Sequence, residues 1–262
     1  MIATALSRSR LAAYSVFSVP LAMAALPVYV HLPKLYAGGL GMPLALIGGI
    51  LLAARLLDAV QDPLLGYLSD RCTRLPLGRS LPIVLGLPLL GAGFVGLFHP
   101  PQANQIGLAI WLIVNLLIVY IGFSAASISY FAMGADLSDD YHERTRVTAT
   151  RSAFGLLGVL LAAAAPGLLG SDEASGLALF SLLFVPALIL AAFVTLRHTP
   201  RPLITAVPSA TLGTLLLPLR DAKFRWLMGV FLLSGIAWAI PGTLILCFVE
   251  DVVQRSDLAG VF

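Results

Sequence analysis

Charge is what this chain has least of. Only 11% of its 262 residues are charged, 16 Lys and Arg against 13 Asp and Glu, whereas 59% are hydrophobic and mean hydropathy reaches +0.95. A soluble chain of this length needs a polar surface, and so few charges cannot cover one. The fold class is therefore an all-α polytopic membrane protein. Cysteine is nearly absent: Cys72 and Cys247 stand far apart and form neither a disulfide framework nor a metal site. The four histidines, His31, His99, His142 and His198, lie at segment ends or in loops without metal-ligand spacing, where solvation is the expectation. No nucleophile and base, and no metal constellation, stand within the apolar segments, which argues against an enzyme. Nucleic acid is excluded as a partner, because the arginines fall between apolar segments as membrane topology requires.

Seven apolar segments reach the roughly 20 residues needed to cross a bilayer: 11–30, 43–66, 81–98, 106–133, 151–169, 176–196 and 224–249. Helices are required, since lipid offers backbone groups no partner and nothing alternates like a barrel strand. Arg and Lys collect in alternate connections: Arg8 and Arg10, then Arg71, Arg74 and Arg79, then Arg144, Arg146 and Arg151, then Arg197 to Arg225. The opposite connections hold Lys34 and, after the seventh segment, Arg255. That asymmetry places the N-terminus in the cytoplasm of a cell inner membrane protein. The longest connection carries Pro200, Pro202, Pro208 and Pro218. It divides a six-helix bundle, 1–196, from a linker, 197–222, and a last piece, 223–262, holding helix seven and the start of an eighth.

Within the second segment, "ARLLDAVQDPLLG" sets Arg55, Asp58 and Asp62 in an apolar run. At 100° per residue they fall within about a 60° arc, one charged stripe with Gln61 beside it. Charges at membrane depth face the bundle interior or a water-filled cavity. One reading is a buried ion pair that clasps helices. However, one arginine cannot neutralise two aspartates, and the surplus carboxylate must take a proton, a metal cation or a partner from another helix. On the fourth segment Asn115, Tyr120, Ser124, Ser127, Ser129, Tyr130 and Phe131 are candidates to line a cavity, with Tyr130, Phe131 and Asn115 foremost.

The stretch "RLLDAVQDPLLGYLSDRCTRLPLGR" resembles the second-helix and loop signature of the glycoside-pentoside-hexuronide:cation symporters, the melibiose permease-like family of the major facilitator superfamily. Arg55, Asp58, Ala59, Asp62, Pro63, Gly66, Asp70 and Arg71 meet its fixed positions. A second block, "YFAMGADLSDDYHERTRVTATRSAFG", resembles the loop after helix four, with Asp140, Glu143, Arg144, Thr145, Arg146 and Arg151 in order. The resemblance implies a major facilitator fold of which about seven of twelve helices are present, the rest belonging to a missing C-terminal half. It implies a cation-coupled symporter of a sugar or other small polar solute, working by alternating access without a cofactor. Asp58, Asp62 and Gln61 would form the coupling site for Na+ or H+, the only metal expected, with Arg55 as charge partner. Asp70, Arg71, Arg79, Arg144 and Arg151 would form the cytoplasmic gate. Two departures narrow this: Ser127 stands where relatives carry a carboxylate, and the first segment offers only Tyr14, Ser15, Ser18 and Tyr29 as polar groups. Protons thus become as fitting as sodium, and galactoside specificity does not carry over. The alternatives are a proton-coupled exporter of more apolar compounds and a non-transporting membrane protein of the same fold.

Overall fold

The computed structural model describes residues 6–199 and 217–247. They contain α1 Arg8–Gly39, α2 Leu44–Cys72, α3 Ser80–Phe98, α4 Gln105–Ala135, α5 Tyr141–Leu169, α6 Glu173–His198 and α7 Ala222–Cys247, with no strand among the described residues. The first six are each long and apolar enough to cross a membrane. The chain divides into two compact units, Met1–Pro208 and Ser209–Phe262. Most of the stretch read as a linker, and everything after Cys247, lies outside the described residues.

The helices outrun their apolar cores because their ends are capped by polar side chains. α5 begins at Tyr141 rather than near Arg151, since Asp140 accepts the Glu143 amide at 2.9 Å and carries the helix through a charged turn. Asn104 caps α4 through the Gly107 amide, and Asp172 caps α6 in a reciprocal box with Ser175. Those bonds from Ser175 hold the exposed Asp172 carboxyl below its ordinary pKa. Gly41, at φ 68°, makes the turn into α2 that a side chain would strain.

α1 is the irregular member. Its ladder breaks between Ser15 and Ser18, and π-helical turns occupy Pro27–His31 and Leu35–Gly39. Carbonyls freed at the break find side chains from elsewhere: Thr195 Oγ donates to Ala13 O at 2.8 Å, and Tyr130 Oη to Tyr14 O at 2.9 Å. Tyr14 Oη returns the favour to Tyr130 O at 3.1 Å, with the two rings stacked at 4.6 Å. The core of this bundle is the α1 surface. Of its most apolar stretch 61% is buried, against 17% for α2 and for α5, which form the margins. Small residues allow close crossings: a Cβ on Gly86 of α3 would lie 2.7 Å from Gly122 O of α4, and one on Gly158 of α5 would lie 2.3 Å from Val19 O of α1. In that way α3 packs closely on α4 and α5 on α1, and another face of α4 looks toward α2.

Candidate functional site

α2 turns its charged stripe toward α4 and α1 around a cavity of about 400 Å³. Tyr29 of α1, Arg55, Asp58 and Asp62 of α2, and Tyr120, Ser124, Ser127 and Phe131 of α4 line it. Asp58 is the better satisfied carboxylate. It accepts from Gln61 Nε2 at 2.9 Å, from Ser124 Oγ at 3.1 Å and from Arg55 at 3.3 Å. The Arg55 guanidinium also lies over two aromatic faces, 4.4 Å from the Tyr29 centroid and 5.3 Å from that of Tyr120. Asp62 is different: its Oδ1 is buried and has no hydrogen-bond partner. Ser124 reaches both carboxylates but has a single proton to give, so the polar groups on hand leave one carboxylate oxygen free to take a proton or an electropositive ligand.

The aromatic and amide candidates on α4 separate. Phe131 lines the cavity, but Tyr130 and Asn115 do not. Tyr130 is fully buried in the reciprocal contact with Tyr14, and Asn115 donates its amide to Trp111 O and faces a groove among α3, α4 and α6. The spacing contains the signal: Tyr120, Ser124, Ser127 and Phe131 follow at i, i+4, i+7 and i+11 and share one helix face, which Asn115 and Tyr130 leave.

The residues read as one gate occupy several places. Arg79, 10% exposed at its side chain, grips Asp70 and Asp136 at 2.7 Å each. Burial alone would lower its pKa, but the two carboxylates raise it, so it stays charged. Beside it Ser69 and Ser129 share a buried hydrogen bond of 2.9 Å. Asp136 and the two serines had no assigned part in the sequence reading of this cluster. Arg71 lies over the Tyr67 ring at 4.8 Å. Arg144 binds Ser138 O at 2.7 Å and reaches Asp139 at 3.5 Å, whereas Arg146 pairs with Glu143. Arg151 stands apart from Arg144, its guanidinium 4.2 Å from the Phe131 ring. One histidine also departs from the solvated expectation, because His31 Nδ1 meets Glu173 Oε1 at 2.7 Å. No group of three metal-ligating side chains occurs among the described residues.

The model of a family described as "MFS/sugar transport protein" matches residues 12–262. An uncharacterised symporter of Synechocystis is 34% identical over 132 residues, 46% of this chain and 23% of the relative. The inner membrane symporter YicJ of Escherichia coli is 27% identical over 185 residues, 67% of the chain and 40% of the relative. The putative glycoside/cation symporter YagG of Escherichia coli is 26% identical over 235 residues, 87% of the chain and 51% of the relative. The chain thus spans about half or less of the length of these relatives.

Proposed function

The chain belongs to the MFS/sugar transport protein family, a family of multi-pass membrane transporters, and on that premise we propose that it supplies the coupling half of a cation-driven symporter for a sugar or similar small polar solute. The observation that carries the reading is the unpartnered, buried Oδ1 of Asp62 beside an Asp58 that already uses the one nearby guanidinium. A proton or Na+ between the carboxylates removes the surplus charge and lets the cavity close in either direction. A gradient of that ion then drives the cycle. Tyr29, Tyr120 and Phe131 offer faces on which a sugar ring stacks, and Arg55 and Ser127 offer donors to its hydroxyls. The N-terminus is cytoplasmic in this reading. A cysteine at Gly78 should then be shielded from an impermeant thiol reagent in intact cells while one at Gln102 reacts, and reversed labelling would overturn the orientation.

The test is to measure abundance and ion-driven uptake together in Asp58→Asn and Asp62→Asn, made in a carrier with both halves. The amide keeps the shape but neither exchanges a proton nor carries charge to a cation, so accumulation should vanish from a protein that stays abundant. Normal accumulation in both variants sinks the coupling site. Low abundance restored by Arg55→Leu would leave the stripe as an ion-pair clasp. One observation favours a second reading, export of more apolar compounds: Ala24, Ala25, Val28, Val119 and Ile128 give the cavity an apolar wall. Competition for binding by sugars decides against it.

A further inference from the structure

We propose that the groove among α3, α4 and α6 is a binding site for an uncharged lipid alcohol, an acylglycerol whose chains lie along α3 and whose free hydroxyl donates to Asn115. The groove is separate from the cavity of Arg55, Asp58 and Asp62 and shares no lining residue with it.

The sequence of α3 shapes the groove. Val84, Pro88, Ala92, Val95 and His99 recur every three or four residues and form one face along the helix. From Val84 to His99 that face runs about 22 Å at 1.5 Å per residue, longer than the roughly 15 Å that one leaflet gives to a bilayer core. Gly91, Ala92 and Gly96 leave room beside α3, Val185 and Ile189 of α6 stand opposite, and the volume is about 880 Å³. None of the lining residues is Asp, Glu, Lys or Arg, and Val84 and Ile189 are exposed on helices long and apolar enough to cross a membrane. A sugar finds little to bond in such a place. An extended acyl chain fits along it.

The polar groups gather at one end, where α3 turns into α4. Trp111 Nε1 donates to Gly96 O at 2.8 Å, and His99 Nδ1 to Val95 O at 3.0 Å. Asn115, only 7% exposed, donates its Nδ2 to Trp111 O at 2.9 Å, a bond that settles which amide atom is the oxygen. That Oδ1 accepts no hydrogen bond among the described residues. It occupies the space that a Cβ on Gly96 would need, so the glycine admits the amide to the groove. A buried carbonyl oxygen without a donor is costly, and a ligand that brings one recovers the loss. The turn 99–104 holds no Asp, Glu, Lys or Arg. An ammonium or phosphate headgroup reaching Asn115 would therefore leave water without gaining a counter-charge. A neutral hydroxyl meets the need without that cost. In a diacylglycerol the hydroxyl stands where the chains begin, so the chains take the apolar length while the hydroxyl meets Asn115.

Trp111 reports on the groove directly, once Trp226→Phe and Trp238→Phe make it the sole tryptophan of the full chain in phosphatidylcholine nanodiscs. A diacylglycerol brominated on its chains near the glycerol should quench its fluorescence and saturate. Half-quenching is expected at a mole fraction about tenfold below that of equally brominated phosphatidylglycerol or phosphatidylethanolamine, the ratio that one hydrogen bond to a buried group supports. Asn115→Leu should remove that preference. Ala92→Phe, at an exposed position, should fill the groove and abolish the saturable quenching, and it decides the matter even where Asn115→Leu lowers the yield. Equal potency of the three lipids, or quenching that rises without saturating, would overturn the site. A preference for diacylglycerol that survives Asn115→Leu or Ala92→Phe would do the same, and the readout needs no transport.

Discussion

Two clusters in this bundle have the same composition, two aspartates and one arginine, and opposite degrees of completion. In the first, Arg79 divides itself between Asp70 and Asp136 at equal distances of 2.7 Å, one carboxylate from the end of α2 and one from just past α4. In the second, Arg55 reaches only Asp58, at 3.3 Å and three residues away on its own helix, and Asp62 keeps an oxygen without a partner. A guanidinium has donors enough for two carboxylates. The difference lies in geometry: a connection that brings Arg79 between two helices lets it use both sides, whereas Arg55 is drawn off by Tyr29 and Tyr120. The completed cluster fastens helices together. The incomplete one holds a charge that something else must answer.

The largest expected effect breaks the comparison at its arginines. Arg79→Ala strands two carboxylates and should lower stability by about 2 to 3 kcal/mol, less than a fully buried pair because both acids are partly exposed. Thermal unfolding in detergent and steady-state abundance should both register it. Arg55→Leu should leave abundance near wild type, because Gln61 and Ser124 still serve Asp58, while ion-driven uptake by a carrier with both halves disappears. Equal losses of abundance in the two variants would erase the distinction. Next in size is Asp136→Asn, which leaves Arg79 one charged partner, Asp70. It should destabilise by about 1 kcal/mol without altering the affinity for Na+ or sugar. The smallest effects compare two serines on α4. Ser124→Ala removes a donor to Asp58 and should weaken Na+ binding about fivefold at nearly unchanged stability. Ser129→Ala breaks the buried bond to Ser69 and should do the reverse, about 1 kcal/mol of stability with affinity unmoved. Calorimetric titration and melting of the same two preparations separate them.

Much of this was legible in the sequence. The apolar segments named the helices, and three charges inside one of them named the stripe, because membrane burial makes such residues conspicuous. The ends were less legible, since caps such as Asp140 and the π-helical turns of α1 extend helices beyond the apolar run that announces them. The lining of α4 was half legible. Residue type singled out Tyr130 and Asn115 with Phe131, but a tyrosine serves a core as readily as a cavity, and only its place on the helix face decides. Asp136 sits among other acids in "GADLSDD", and nothing local distinguishes the one that meets Arg79 across 57 positions.

The paired bonds between Tyr14 and Tyr130 restrict motion in a particular way. Each hydroxyl is anchored on the other residue's carbonyl, so a slide of α1 along α4 by one helical turn would break both bonds together. The contact thus holds the axial register of the two helices. Phe131 is the next residue in the chain and faces the cavity with Arg151 stacked behind it. The register that the two tyrosines hold is therefore also the register of the ring that stands in the cavity with Asp62.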